Sequence, residues 1–284
     1  MKLHKMYDPI TASPFICNES YMEIRPCKEL EPYIKCFWGS KKPYRKDQTD
    51  IQLPELIIPD TCMDIIFDIN YTDNIIDSSF CGIDEKSFTA KNNNSGELVS
   101  TFAVRFYPWS VYLFAEDSLK NTRNTAVDLE YHFSEFKREL EPLLFEAADI
   151  KERIQTAENY LTERIHLERM NDVLMNSLTE IIKNNGNLEI NKLAVNQHIS
   201  TRQLERIFNE YIGIAPKKFS SLIRYQRLWQ DILYKPDFQI LDAVFQYGYT
   251  DQAHLLHDFR RFHTMTVPEA RCYALEHVAF IQER

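Results

Sequence analysis

A helix-turn-helix pattern that occurs twice near the C-terminal end constrains this sequence more than any other feature. In each copy, a polar residue suited to cap a helix is followed four and eight residues later by an apolar residue that the helix would bury. Such a repeat indicates an internal duplication rather than a generic helical bundle. The matching residues, 51 positions apart, are Ser200, Leu204 and Phe208 in the first copy and Asp251, Leu255 and Phe259 in the second.

A long helix is predicted to join the two copies. Pro216 suits its first turn, and Pro236 closes it after about Lys235. A helix of about 20 residues spans about 30 Å, and successive major-groove segments on one face of DNA lie about 34 Å apart. This match predicts that the second helix of each copy, the recognition helix, enters its own major groove.

The outer faces of both recognition helices carry residue types that contact DNA. Arginine can bridge guanine O6 and N7, glutamine and asparagine can pair with adenine, and alanine can meet a thymine methyl group. Lysine and arginine near the helix ends can contact phosphates, which set register and affinity. The candidate DNA-binding residues are Thr201, Arg202, Gln203, Arg206, Asn209, Lys217, Lys218, Gln252, Ala253, His254, His257, Arg260 and Arg261.

The net charge of the chain leaves a second interpretation of the basic residues open. The chain carries 33 Lys+Arg against 42 Asp+Glu, a formal net charge of −9. This acidity lies outside the duplicated region, because residues 186–284 hold 12 basic and 11 acidic residues and the remainder accounts for −10. DNA-binding proteins usually show a basic patch. A helical domain whose basic residues are ordinary surface is therefore the alternative.

Residues 1–125 predict a β-rich domain. Apolar and polar residues alternate over 63–70, as in a half-buried strand, and residues 98–107 repeat the alternation. Short strands separated by turns suggest a sandwich or a small barrel.

From residue 126 the apolar spacing becomes helical. A stripe formed by Ile150, Ile154, Ala157 and Leu161 fits either the core or a dimerising helix pair. The whole sequence predicts an α+β fold in three parts. These are the β-rich residues 1–125, a helical connector over 126–167 that could dimerise, and an all-α domain over 168–284 with two helix-turn-helix units joined by a long helix.

The sequence lacks the arrangements expected of an enzyme or a metal site. Residues 1–130 contain one histidine, His4, whereas a metal-dependent cupin enzyme needs clustered histidines on its barrel. The six cysteines show no Cys-x-x-Cys pair. His254 and His257 have a spacing that can chelate a metal, but no third ligand lies near them. We therefore predict no catalysis, no metal and no cofactor, and disfavour a cupin-like enzyme with a helical appendage.

No segment reaches the roughly 18 uncharged apolar residues of a membrane span. The most apolar segment, residues 56–69, contains three aspartates. The N-terminal residues also lack the apolar stretch of a signal peptide. These observations predict a cytoplasmic protein that does not enter a membrane.

Several short segments match the pattern of a known family. They are residues 193–194, 200–208, 213–216, 247–255, 259–262 and 265–268, and, more distantly, residues 30–38, 58–67 and 104–108. Over about residues 170–275 the sequence resembles the AraC/XylS family of bacterial transcription regulators. The resemblance implies a sequence-specific regulator of transcription, usually an activator that contacts RNA polymerase. It also implies that the β-rich domain senses a small-molecule effector or mediates assembly.

Aromatic residues and one cation of the β-rich region are the candidates for an effector pocket. Such aromatic residues are more often simply core, and the cation equally suits a structural ion pair. A homodimer whose N-terminal domain serves only for assembly is the alternative. The effector-binding candidates are Trp38, Phe67, Phe102, Arg105 and Trp109.

Overall fold

A computed structural model describes residues 3–11, 19–45, 55–90 and 96–277. Its strands are β1 (Met22–Ile24), β2 (Ile34–Gly39), β3 (Tyr44–Arg45), β4 (Glu55–Ile57), β5 (Met63–Asn70), β6 (Ile75–Cys81), β7 (Phe88–Ala90), β8 (Leu98–Phe106) and β9 (Ala126–Asp128). Its helices are α1 (Glu130–Glu146), α2 (Ile150–Arg164), α3 (Asp172–Lys183), α4 (Ile190–Asn196), α5 (Thr201–Tyr211), α6 (Pro216–Tyr234), α7 (Ile240–Gln246), α8 (Gln252–His263) and α9 (Val267–His277). The predicted α+β architecture is confirmed.

The N-terminal strands form an antiparallel sheet in the order β1-β2-β8-β5-β6-β9, and β3 pairs with the beginning of β8. Strands β4 and β7 form a separate two-stranded sheet. The central pair, β5 and β8, runs from Met63 opposite Phe106 to Asn70 opposite Val99. The alternation predicted for β5 is confirmed, since every second side chain from Met63 to Ile69 is buried. This register decides which side chains share a face of the sheet.

One face of the sheet is apolar and packs against the helical connector. The rings of Phe37 and Phe67 stack on either side of Phe102, with centroid distances of 5.9 and 6.4 Å. Phe136 of α1 stacks on Phe67 at 6.0 Å. The α2 stripe at Ile150, Ile154, Ala157 and Leu161 is also buried. Of the two roles left open for this stripe, the structure therefore gives it a place in the core of the chain.

The two helix-turn-helix units, α4–α5 and α7–α8, differ in the length of their turns. Each turn contains one residue with left-handed backbone, His198 at φ 55° and Gly248 at φ 65°, which lie 50 positions apart. The N-cap residues Ser200 and Asp251 lie 51 positions apart, so the second turn is one residue longer. Both predicted caps are confirmed, because each side chain accepts a backbone N–H from the first turn of its helix.

Helix α6 joins the units and is buried over most of its surface. It begins at Pro216, as predicted, and its 19 residues correspond to about 28 Å. Tyr225, Gln226 and Trp229 are fully buried. The helix is therefore enclosed by the rest of the chain, and it can serve as a rigid spacer.

The N-terminal part packs on α6, and side chains of α6 form hydrogen bonds to backbone atoms of the N-terminal part. The buried Gln226 side chain accepts the Ile10 N–H at 2.9 Å and donates to the Pro59 carbonyl oxygen at 2.9 Å. Two further side chains of α6 donate to backbone carbonyl oxygens of the same N-terminal segment. These pairs are Arg227 with Met6, at 2.7 Å, and Gln230 with Asp8.

Gly186 allows the chain to turn against α6 after α3. Its φ of +73° favours glycine, and a Cβ atom there would lie 2.0 Å from the Ser220 carbonyl oxygen and 2.9 Å from the Arg224 nitrogen. Both of those atoms belong to the backbone of α6, which cannot move aside cheaply. The close approach of α3 to α6 therefore requires glycine at this position.

We expect Gly186→Ala to lower the free energy of unfolding by about 2–4 kcal/mol, because backbone strain and overpacking add. Gly96→Ala is the matched control, since Gly96 has φ +86° but no heavy atom of the described residues lies within 4 Å of a Cβ placed there. The control should lose only the strain, about 1–2 kcal/mol. Urea denaturation of both variants measures the difference, and equal losses would contradict the packing argument.

Candidate nucleic-acid interface

The outer face of α5 presents two arginines one helical turn apart. Arg202 and Arg206 are both exposed. Within the described part of the chain, neither guanidinium group takes part in a hydrogen bond or ion pair. Two such side chains on one helix face can reach adjacent bases of a major groove.

Three other candidates on α5 are engaged in local hydrogen bonds. The Gln203 side chain accepts the Ser200 N–H at 2.9 Å and completes a capping box. The Asn209 side chain donates to the Glu205 carbonyl oxygen at 2.7 Å. The remaining contact joins Thr201 Oγ1 to Asn191 Oδ1 at 3.2 Å. Each of these three side chains is thus partly occupied within the chain, whereas the two arginines form no such bond to the described residues.

The outer face of α8 is more mixed than that of α5. The exposed candidates on it are Gln252, Ala253, His254, His257, Arg260 and Arg261. Arg261 is held at 2.9 Å by the Asp258 carboxylate and lies over the Phe262 ring. The face therefore combines amide, imidazole and guanidinium groups, all of which can contact bases or phosphates.

Asp258 lies on the inner side of α8 and anchors this helix to α6. Its buried carboxylate accepts from Arg224 at 3.1 Å and from the Tyr249 hydroxyl at 3.2 Å. Arg224 in turn lies 4.3 Å from the centre of the Tyr249 ring. The negative charge of Asp258 is thus turned away from the outer face, where it would repel DNA.

His263 ends α8 inside the core. Its Nδ1 lies 2.8 Å from the Tyr225 hydroxyl, and its ring stacks on Phe259 with centroids 5.0 Å apart. Burial lowers the pKa of His263 to about 4. The imidazole is therefore neutral at physiological pH and acts as a packing and hydrogen-bonding group.

Two lysines occupy the first turn of α6. Lys217 is exposed and, among the described residues, forms no side-chain ion pair. The Nζ atom of Lys218 lies 2.8 Å from a carboxylate oxygen of Glu85, in the N-terminal part. Of the two lysines predicted to contact phosphates, Lys218 is therefore already paired with Glu85, whereas Lys217 is unpaired among the described residues.

Comparison with known proteins identifies the region that holds these surfaces. A family model described as a helix-turn-helix domain matches residues 193–271. Residues 193–271 form an AraC-type helix-turn-helix domain. A second family model, described as a domain of unknown function (DUF6597), matches residues 22–128. A search of curated proteins finds no match.

Several solved structures are similar to this chain. One is an AraC-type transcriptional regulator from Chromobacterium violaceum, with 25% identity over 35% of this chain and 89% of that one and a TM-score of 0.33. Another is the DNA-binding domain of AdpA in complex with a target DNA, with 18% identity over 36% of this chain and 93% of that one and a TM-score of 0.34. ToxT from Vibrio cholerae O395 has 12% identity over 83% of this chain and 96% of that one, with a TM-score of 0.39.

The structure does not bring the five effector candidates together. Phe67 and Phe102 are fully buried on the apolar face of the sheet. Trp109 stacks on Tyr107 at 4.5 Å and donates its indole N–H to the Pro32 carbonyl oxygen. The remaining two candidates, Trp38 and Arg105, share the opposite face, where the guanidinium carbon lies 5.5 Å from the centre of the indole ring.

This second face, here called the polar face, surrounds one paired arginine. Arg105 donates to both oxygens of Asp64 at 2.9 and 2.7 Å, and Glu23 lies 3.6 Å from its Nη1 atom. Tyr21 packs on Trp38 at 5.4 Å. Sequence reasoning missed Tyr21, Glu23 and Asp64. The strand alternation could have placed Asp64 beside Arg105 once the register of β5 and β8 was known.

Two buried donors on the polar face make no hydrogen bond to any residue that the structure describes. They are the indole N–H of Trp38 and the Nη1 group of Arg105. The buried Asp60, whose pKa burial raises to about 6, has an unpartnered oxygen near the same arginine. An unpartnered buried polar group costs about 1–3 kcal/mol, so this face can gain from a ligand that supplies the missing bonds.

Other kinds of site receive no support. None of the described helices combines the length and the apolar composition needed to cross a membrane. Among the residues that the structure describes, no three His, Cys, Asp or Glu side chains are grouped to hold a metal ion. The described cysteines are free thiols.

The buried imidazole predicts a loss of stability in acid. Because the pKa of His263 is about 4 when folded and about 6.5 when unfolded, the unfolded chain binds more protons between these values. The stabilising contribution of the neutral His263 is therefore present above pH 6.5 and lost as the pH falls through 4. In wild type, this titration lowers the free energy of unfolding by about 3 kcal/mol over this range, and we expect His263→Phe to abolish that decrease.

The titration of Asp60 and Asp84 changes the free energy of unfolding in the opposite direction with pH, because burial raises the pKa of each carboxyl to about 6. The measurement is therefore the difference between the pH profiles of wild type and His263→Phe in urea denaturation. His257→Phe controls for loss of an exposed imidazole on the same helix. Parallel profiles for wild type and His263→Phe would contradict the assignment.

Proposed function

We propose that this AraC-type regulator reads a specific DNA sequence by placing α5 and α8 in successive major grooves. The observation that carries the proposal is that both helices are anchored on one buried helix, α6. Phe208 of α5 packs edge-on to Phe219, and the Asp258–Arg224 pair holds α8. The length of α6, about 28 Å, is close to the groove spacing of about 34 Å.

In this proposal the exposed arginines of α5 carry most of the base recognition of the first unit. Arg202 and Arg206 reach guanines, and the side chains of α8 read the second groove. Lys217 and Lys218 contact phosphates. The remaining proposed contacts are Thr201, Gln203, Asn209, Gln252, Ala253, His254, His257, Arg260 and Arg261.

Selection of bound sequences from random DNA by the purified full-length chain tests the proposal directly. On the selected site, Arg206→Ala should weaken binding by about 1–3 kcal/mol and relax the base preference at one position, because a bidentate base contact is lost. Electrophoretic mobility shifts on a panel of single-base variants measure both effects.

Lys217→Ala is the matched control in this experiment. A lost phosphate contact should weaken all sequences by a similar factor and reduce the slope of log affinity against log salt by about one. If Arg206→Ala changed neither affinity nor base preference, the role of this helix face would be refuted. If no sequence were enriched, the exposed basic residues would be ordinary surface, and the proposed reading mode would fail.

We further infer that the polar face binds a small-molecule effector. Within the described residues, the Trp38 indole N–H and the Arg105 Nη1 group form no hydrogen bond, and this supports the inference because a ligand with acceptor atoms can supply one. Arg105 is already neutralised by Asp64, and Glu23 lies close to it. An uncharged molecule with acceptor oxygens or nitrogens therefore fits this face better than a carboxylate does.

A screen by thermal unfolding, with uncharged compounds and matched carboxylates, tests this inference. A ligand at 100 times its Kd stabilises the folded state by about 2.7 kcal/mol. Trp38→Phe should weaken binding of an uncharged hit about tenfold, because one buried hydrogen bond is lost. Trp109→Phe is the control, since that indole already donates to Pro32.

Three outcomes would contradict the effector inference. One is a set of hits made up only of carboxylates, and another is equal weakening by both tryptophan variants. The third, no hit at all, would favour an N-terminal domain that serves only for assembly.

The rest of the proposal rests on the family resemblance. We propose that the regulator acts as an activator in the cytoplasm, contacts RNA polymerase and forms a homodimer. It acts by binding, without catalysis and without a cofactor.

A further inference from the structure

One short loop of the N-terminal part contacts both the start of α6 and the end of α8. This loop, residues 82–87 between β6 and β7, is here called the interdomain loop. The Glu85 carboxylate lies 2.8 and 3.1 Å from Lys218 Nζ at the start of α6. The same carboxylate also pairs with Arg123 at 3.4 Å.

The interdomain loop is fixed on both sides of Glu85. The Glu85 N–H donates to the Asn124 side chain at 2.7 Å. The Ser87 N–H donates to the Phe262 carbonyl oxygen at 3.0 Å, and its hydroxyl lies 3.1 Å from Thr264 Oγ1, beyond the end of α8. The carboxylate is therefore presented to Lys218 by a defined backbone, and only 15% of the Glu85 side chain is exposed.

The position of Lys218 is unfavourable unless an anion lies near it. Lys217 and Lys218 are both in the first turn of α6, where the helix dipole is positive. Two cations at this end oppose the dipole and also repel each other. An anion that binds there relieves both effects, and in this chain the anion is Glu85.

We propose that Glu85 occupies the place on Lys218 that a DNA phosphate takes in the bound state, so that the N-terminal part competes with DNA for this lysine. The inference rests on the proposed phosphate contact of Lys218. Any event in the N-terminal part that moves the interdomain loop then frees a positive charge on the reading surface and raises DNA affinity. Because coupling of this kind is reciprocal, DNA binding equally loosens the loop.

Glu85→Gln in the full-length chain tests the competition. Removing the carboxylate charge should raise affinity for the selected DNA site about two- to fivefold, the range expected for one partly exposed ion pair. Arg123→Gln is the control, because it removes the other partner of Glu85 and leaves the carboxylate on Lys218. It should not raise affinity. Thermal unfolding confirms that each variant is folded.

A double-mutant cycle with Lys218→Ala separates the contact from the general effect of charge. In the Lys218→Ala background, Glu85→Gln should give no more than the small gain expected from removing a distant negative charge. Equal gains in both backgrounds would overturn the competition, and so would a gain from Arg123→Gln as large as that from Glu85→Gln. If wild type selects no sequence, the proposed DNA-reading mode fails; if it selects one and the cycle shows no coupling, only the competition fails.

Discussion

The burial of α6 determines how the rest of the molecule is arranged. Tyr225 and Trp229 are covered by side chains of α8, and Gln226 is covered by the N-terminal segment. A helix held in this way cannot shift without breaking contacts in both parts of the chain. The distance and angle between the two recognition helices are therefore properties of α6 and its packing, and the N-terminal part is attached to the same element.

Several cations of the helix-turn-helix domain are paired with carboxylates of the same chain. Asp258 holds Arg224 and Arg261, and Glu85 of the N-terminal part holds Lys218. These cations are partly neutralised within the chain, which leaves few open cations for general attraction to phosphates. Fewer unpaired cations mean a weaker sequence-independent attraction to phosphates.

Sequence patterns predicted the features that depend on neighbouring residues. The alternation of β5, the N-caps Ser200 and Asp251, and the start of α6 at Pro216 all depend on residues close in the chain. The left-handed turn residue His198 is less evident, because only its counterpart Gly248 is the residue type expected there.

Features that depend on distant pairing could not be read from the sequence. The Lys218–Glu85 pair joins residues 133 positions apart. Alternation along β8 already separates Phe102 from Arg105, but the neighbours of each candidate on other strands depend on the sheet register, which the sequence does not show. Gln203 was assigned to adenine, although its spacing from Ser200 is that of the local capping box that its side chain completes. Local pattern predicted these surfaces, and contacts within the folded chain decide which atoms on them are still available.

The hydrogen bonds between α6 and the N-terminal segment have an evolutionary consequence. Gln226, Arg227 and Gln230 form hydrogen bonds to main-chain atoms of residues 6–10 and 59, and Arg227 also lies 5.3 Å from the centre of the Tyr7 ring. Apart from Tyr7, many substitutions in the N-terminal segment can therefore accumulate without loss of these hydrogen bonds, provided that the path of the chain is kept. The three polar residues of α6 have no such freedom, so drift in one half of the interface is compatible with constancy in the other.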